Sequence, residues 1–384
     1  MGMPDVVVIG AGVVGAACAH YAARAGLHVV VVDRGSVAGG TTGAGEGNVL
    51  VSDKEPGPEL DLAMLSARLW AELDREVGGF EYEPKGGLVV AETPRALEAL
   101  ARLAYGQREA GVECTDVAAA GLHDYEPHLT GGLAGGVHYP QDAQVQPMLA
   151  AARLIAAPTG PGSVTLRTGE TVTGILRSRD GRARGVRTAA GELHAGAVVN
   201  AAGTWGGEVA ALAGVELPIL PRRGFILVTE PLTGRDLVRH KVYTAAYVTG
   251  VASDSAALET SAVVESTPSG TVLIGASRER VGFDRTVSPP VLRRLAAQAV
   301  ALFPALADVR VIRAYCGFRP YCPDHLPVIG EDPRVPGLYH ACGHEGAGIG
   351  LAPATGYLIA QALAGTTPRL DLTPFRPARF DQAA

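Results

Sequence analysis

The sequence predicts a two-part fold: a discontinuous α/β domain around a mainly parallel sheet, with a β-rich antiparallel domain inserted in it. Three observations predict this. A short apolar strand, Val6-Val-Val-Ile9, runs into a glycine turn, Gly10-Ala-Gly12-Val-Val-Gly15, which opens an alanine-rich stretch. At the far end a second glycine turn, Gly343-His-Glu-Gly346-Ala-Gly348-Ile-Gly350, opens another apolar stretch. Between them, residues 218–277 break into short β-branched runs separated by turn residues. The strand–glycine turn–helix–strand order makes the first part Rossmann-like.

Each element has a local reason. Val6–Ile9 and Val29–Val32 are buried strands, and Ala16–Ala25 is the helix between them, stopped by Gly26. Residues 35–47 form a loop of Gly, Ser and Thr. Glu59–Val77 is a helix by the spacing of Leu60, Leu65, Leu69, Trp70 and Leu73. Gly86–Ala91 reads as a strand, Pro94–Ala110 and Pro147–Ala157 as helices. Val164–Val172, Gly174–Leu176 and Gly185–Thr188 are strands, the last two joined at Asp180-Gly181. Ala197–Ala202 is a buried strand. Pro218–Thr229, Val242–Val248, Glu259–Ser266 and Val272–Ser277 supply the inserted sheet, and Thr249–Leu258 is a small, polar loop. Ser288–Phe303 is a helix with Pro289-Pro290 in its first turn. Val309–Tyr315 and Leu338–Ala341 are strands, and Ala352–Ala364 is the last helix.

The 384 residues suffice for two or three domains at about 100–200 residues each. A formal charge of −6, with no basic block, gives no footprint for nucleic acid or for an anionic membrane face. No segment reads as a signal peptide or a membrane span. Five scattered cysteines (Cys18, Cys114, Cys316, Cys322, Cys342) form no disulfide framework and no C-x-x-C metal motif. The expectation is a cytoplasmic protein without a metal site.

Gly10, Gly12 and Gly15 allow a tight turn, close approach of backbone to a pyrophosphate, and close helix–strand packing. Asp33, eighteen residues after Gly15, ends the next strand, where it can accept from ribose hydroxyls. An acid there disfavours a 2′-phosphate. Thr41, Thr42, Gly47 and Asn48 belong to a second anion-friendly loop. A nicotinamide enzyme needs only the first glycine turn. A protein that holds FAD across its sheet also needs the last one, so FAD is the expected cofactor.

These segments, with Val198-Val-Asn-Ala-Ala-Gly203-Thr-Trp205 and Cys316-Gly-Phe-Arg319-Pro-Tyr-Cys-Pro-Asp-His-Leu-Pro-Val-Ile-Gly330, resemble the D-amino-acid-oxidase superfamily of flavoproteins over nearly the whole chain. Thr41–Asn48, Asp142–Pro147 and Gly343–Gly356 look most like the catalytic β-subunits of hydrogen cyanide synthase, opine oxidase and (hydroxy)proline dehydrogenase. The resemblance implies an FAD-binding domain of residues 1–80, 143–215 and 310–384, and a substrate domain of 81–142 and 216–309. It adds Arg34, Val172, Ala202, Gly203, Trp205, Gly317, Gly346, Gly348, Ile349 and Gly350 to the cofactor-binding set. Aligning on Pro323-Asp324 places Gly317, not Cys316, where some members link flavin to a cysteine, so the FAD is expected to be non-covalent.

The resemblance places a carboxylate-binding arginine at Arg319, after a strand. A guanidinium there grips a substrate carboxylate bidentately and aims its Cα–H at the flavin N5. His344 either donates to the flavin or shapes the substrate pocket. Tyr247, with Tyr243 on one strand, either covers the substrate or packs the sheet. Arg222 and Arg223 stand at the start of a strand, and Glu265 and Arg278 either face the ring or pair across strands. No side-chain base stands out. The implied reaction is oxidation of a small amino or imino acid, the electrons passing to partner subunits. Oxygen as acceptor, an NAD enzyme, and an FAD-holding assembly subunit are the alternatives.

Overall fold

The computed structural model describes residues 2–157, 160–232, 237–251 and 253–381. Its first sheet has the spatial order Val328–Glu331, Leu338–Cys342, Ala197–Asn200, Val6–Ile9, His28–Asp33, Ser163–Thr168. All neighbours run parallel except the first pair. The pleat sorts the central strand by alternate residues. Val6 and Val8 join a core with the helices Val13–Arg24, Pro58–Glu76, Pro147–Ala156 and Gly348–Leu363. Val7 and Ile9 join the core under the antiparallel sheet of Val172–Arg177, Ala183–Thr188 and Gly191–His194. Both faces are therefore covered, as a parallel sheet requires.

The second sheet has the order Val311–Tyr321, Leu220–Thr229, Val272–Arg278, Glu259–Ser266, Lys241–Thr244, Gly87–Ala91, Gly135–Tyr139, Thr115–Ala118. It is antiparallel apart from the Lys241–Thr244 and Gly87–Ala91 pair. The helix Pro289–Leu302 buries Val291, Leu295, Ala299 and Leu302 against it.

Several expectations change here. The strand expected to end at Tyr315 continues to Tyr321, because each residue from Tyr315 to Tyr321 faces a partner on Leu220–Thr229. Arg319 thus lies on a strand, and that strand belongs to the larger sheet although the boundary at 310 assigns it to the other domain. Tyr247 is not on a strand: the chain turns after Thr244 into the helix Ala245–Val251. Ala252, in the loop expected over 249–258, lies outside the described residues. The last helix begins at Gly348, four residues early, and so contains Pro353. Pro353 has no N–H for the carbonyl of Ile349, and Trp70 Nε1 donates to that oxygen (3.2 Å) and to Gly350 O (3.1 Å) instead. Thr115–Ala118 and Gly135–Tyr139 were not foreseen.

Candidate active site

A cavity of about 600 Å3 runs between the two sheets, from Asp33 and Arg34 at one end to Arg319 and His344 at the other. Its near end is the glycine turn. Gly10 has φ +113°, and a Cβ there would fall 2.4 Å from Ala201 O. A Cβ on Gly15 would fall 1.9 Å from Gly10 O, so the helix can start this close to the turn only without one. Asp33 accepts from Ala11 N through Oδ2 and from Gly35 N through Oδ1, both at 2.7 Å. Thr42 Oγ1 accepts from Val13 N at 3.0 Å and so satisfies a free donor of the first helical turn. That turn carries no acidic residue, leaving its positive end open to an anion.

The middle of the cavity is pinned by hydroxyls. Thr41 Oγ1 and Thr204 Oγ1 both donate to Phe318 O, at 2.7 and 2.8 Å, tying two loops to the long edge strand. Arg34 sits 4.2 Å over the Trp205 ring, and Trp205 stacks on Phe283.

At the far end, Arg319 donates from Nη1 to Ser277 O at 2.8 Å, and no carboxylate of the described residues pairs with it. The buried Arg222 pairs with Glu345 and with Glu259 (3.3 Å), and donates to Ser253 O. His325 Nδ1 lies 2.9 Å from the other Glu345 oxygen. The hydrogen bond from His325 and the Arg222 charge outweigh burial and hold Glu345 below its ordinary range. Glu345 has φ +48°, uncommon for a residue other than glycine. Arg278 is buried, its Nη1 lacks a hydrogen-bond partner among the described residues, and it lies 5.1 Å from the Tyr247 ring. Burial pulls it down to about 10.

His344 is buried, and burial drives its pKa to about 3, so it is neutral. Thr355 spends its hydroxyl proton on Leu351 O, so it accepts from His344 Nε2 at 3.0 Å. That places the ring proton on Nε2 and leaves Nδ1 an acceptor only, which excludes donation from His344 to a ligand in this arrangement.

The cavity brings together eighteen of the residues singled out from sequence: Gly10, Gly12, Asp33, Arg34, Thr41, Thr42, Asn48, Val172, Ala202, Gly203, Trp205, Tyr247, Gly317, Arg319, His344, Gly346, Gly348 and Ile349. Gly15, Gly47 and Gly350 do not line it. They sit one layer back, where a Cβ would meet Gly10 O, Val145 O and Asn48 O respectively.

Sequence reasoning did not foresee that Glu265 belongs to a buried ionic cluster behind the wall, of which Glu46 and Asn48 line the cavity. Lys241 Nζ donates to Asn48 Oδ1 and, at 2.8 Å, to Glu265 Oε2, and lies 3.6 Å from Glu46 Oε2. Glu265 faces Leu273, not Arg278, across its strand pair. The available signal was Glu46, a lone acid in a glycine loop otherwise suited to anions. A second cavity of about 640 Å3 meets the first at Tyr247, His344, Glu345 and Gly346.

Residues 5–362 match the DAO family of FAD dependent oxidoreductases. The chain is 32% identical to a glycine oxidase of Pseudomonas putida, over 97% of this chain and 98% of that one. It is 30% identical to the hydrogen cyanide synthase subunit HcnC of Pseudomonas aeruginosa, over 98% and 96%. The crystal structure of glycine oxidase from Geobacillus kaustophilus superposes with a TM-score of 0.87 at 27% identity, covering 99% of both chains. L-Proline dehydrogenase from P. horikoshii, at 24% identity and a TM-score of 0.90 over 99% and 98%, shares the fold. The chain belongs to the DAO family of FAD-dependent oxidoreductases. It is therefore an enzyme of that class, and FAD is its cofactor.

The residues present fit FAD. Two helix N-termini, at Val13 and Gly348, open on one elongated cavity, and the turn at Gly10 is closed against Ala201 without room for a side chain. No group of three or more Cys, His, Asp or Glu suited to a metal exists among the described residues. No helix among them is long and apolar enough to cross a membrane.

Proposed function

We propose that this chain oxidises the C–N bond of a small amino or imino acid to an imine and passes the electrons to a partner subunit or another acceptor. The observation that carries the reading is Arg319: a guanidinium without a carboxylate partner, on the wall of the cavity that also holds the glycine turn. A planar fork there binds a carboxylate through two N–H groups and fixes which carbon faces the cofactor. The names of the relatives, a glycine oxidase and a hydrogen cyanide synthase subunit, support an amino-acid substrate.

In this reading Gly10, Gly12, Thr41 and Thr42 hold the pyrophosphate, Asp33 the ribose, and the Gly346–Ile349 backbone the flavin. Bound FAD supplies the acceptor for the hydride of the oxidised carbon. The chain's own residues do the rest. Arg319 anchors the carboxylate. Arg222 and His325 neutralise Glu345, so that it does not repel the same carboxylate. Tyr247 and neutral His344 wall the pocket without adding charge. The partner subunit is proposed from the HcnC likeness; direct use of oxygen is the second reading, favoured by the glycine oxidase likeness.

The test is anaerobic mixing of the purified flavoprotein with glycine, sarcosine, proline, hydroxyproline and an opine. Bleaching of the flavin by one of them is expected. A flavin that stays oxidised with all five refutes the substrate class. Peroxide yield in air against reduction of a dye then separates the two acceptor readings.

A further inference from the structure

We propose that the second cavity receives the side chain of the substrate, and that this side chain carries a positive charge. The substrate is then a basic α-amino acid, with its carboxylate on Arg319 and its ammonium or guanidinium end beside Glu55, Glu59 and Glu92. This rests on the amino-acid reading above and adds the side chain to it.

The second cavity opens where the carboxylate would sit. The two cavities share Tyr247, His344, Glu345 and Gly346. A Cβ on Gly346 would lie 3.7 Å from Arg319 Cδ and Nε, so Arg319 stands at this seam. At about 640 Å3 the second cavity has far more room than glycine or proline needs, and falls in the range of about 300–1,000 Å3 that suits larger ligands. Its floor is built, not loose. The buried Asp142 accepts from Val51 N at 2.8 Å and Ser52 N at 3.3 Å, and Gln107 Nε2 donates to Lys54 O at 2.7 Å. One wall is apolar, with Ala99, Leu100 and Leu103 of the helix Pro94–Glu109, and suits the methylenes of a long side chain.

The charges on the rest of the lining select a cation. Glu345 is already matched by Arg222 and His325. Asp53 is matched by the buried Lys54, whose Nζ lies 2.6 Å from it. Glu59, with its side chain 24% exposed, has only the same Lys54, at 3.9 Å. Glu55 and Glu92 also line the cavity and have no ion-pair partner among the described residues. Three carboxylates therefore lack a cation of their own. Burial raises Glu59 above its ordinary range; Lys54 and His325 pull it down, while Asp53 and Glu345 push it up. A cation arriving beside Glu59 offsets that burial and repulsion. The same electrostatic link between Glu59 and Glu345 ties the acidic floor to the seam. His344, 3% exposed and at the seam, keeps only an acceptor at Nδ1, so the passage also favours a donor over an anion.

The test is anaerobic stopped-flow reduction of the FAD-bound protein by racemic arginine and racemic citrulline. The two have nearly the same shape and differ in the charge of the terminal group. Arginine should exceed citrulline about tenfold in kred/Kd at pH 7, mainly through Kd, because the charged end lies away from the reacting carbon. The partial exposure of the glutamates keeps the factor below that of a fully buried charged pair. Glu59→Gln should cut the arginine-to-citrulline ratio several-fold. Glu92→Gln, at an exposed position, should cut it less and covers the case in which Glu59→Gln does not fold. A ratio near one in the unaltered protein, or a ratio that neither substitution changes, overturns the assignment of the second cavity. If the small compounds of the panel above bleach the flavin while arginine does not outdo citrulline, that assignment alone falls. If neither the panel nor this pair bleaches it, the amino-acid reading falls as well.

Discussion

Replacing His344 by glutamine should flatten the acid side of the stability profile by a calculable amount. The imidazole is 3% exposed, and burial lowers its folded pKa from 6.5 to about 3. In the unfolded chain it titrates near its ordinary value. Above pH 6.5 both states hold it neutral, and its stabilising contribution is fully present. Below pH 6.5 the unfolded state takes up a proton that the folded state refuses, so stability falls with pH until the folded pKa is reached. Each pH unit is worth about 1.4 kcal/mol, so the drop from pH 6.5 to 5 costs about 2 kcal/mol. Glutamine retains an N–H for Thr355 and does not titrate. Urea unfolding in excess FAD, followed by circular dichroism at pH 7, 6 and 5, should show the unaltered protein losing about 2 kcal/mol more than the variant over that interval. Equal losses would mean that His344 is solvated or charged in the folded state, and the assignment of its ring proton to Nε2 would fall with it.

Arg319→Ala should lower kcat/KM for the proposed amino-acid substrate by about a hundredfold, with Arg319→Lys recovering only part because an ammonium lacks the planar fork; steady-state rates with the best substrate of the panel decide it. Gly15→Ala should weaken FAD binding at least about tenfold although Gly15 does not line the cavity, because a Cβ 1.9 Å from Gly10 O forces the first helix off the turn; titration of FAD fluorescence measures this. Trp70→Phe should cost about 1–3 kcal/mol of stability, since the carbonyls of Ile349 and Gly350 lose their donor beside Pro353; a melting temperature equal to that of the unaltered protein would refute the account.

The nucleotide-binding half was legible because its signals are local. Val6–Ile9, the three glycines and Asp33 lie within twenty-eight residues, and turn geometry, helix start and strand end are each set by neighbours in the chain. The last glycine turn was legible for the same reason, whereas Arg319 was singled out through the family resemblance. What failed was what neighbours in the chain do not decide. Val242–Val248 carries β-type residues on either side of Ala245 and Ala246, yet only Lys241–Thr244 finds strand partners, and the chain coils into a helix from Ala245. Thr115–Ala118 is a strand only because Gly135–Tyr139 offers it an edge.

The sequence by itself determined the fold class, the cofactor and the residues of the glycine turns, since each follows from short-range sterics and hydrogen bonding. Only the tertiary structure decided the ionic cluster behind the wall. Glu46, Lys241 and Glu265 are separated by up to 219 residues. Whether a carboxylate is a solvated surface charge or a buried acceptor depends on what is folded over it, and here strands of the second sheet close over the glycine loop that carries Glu46.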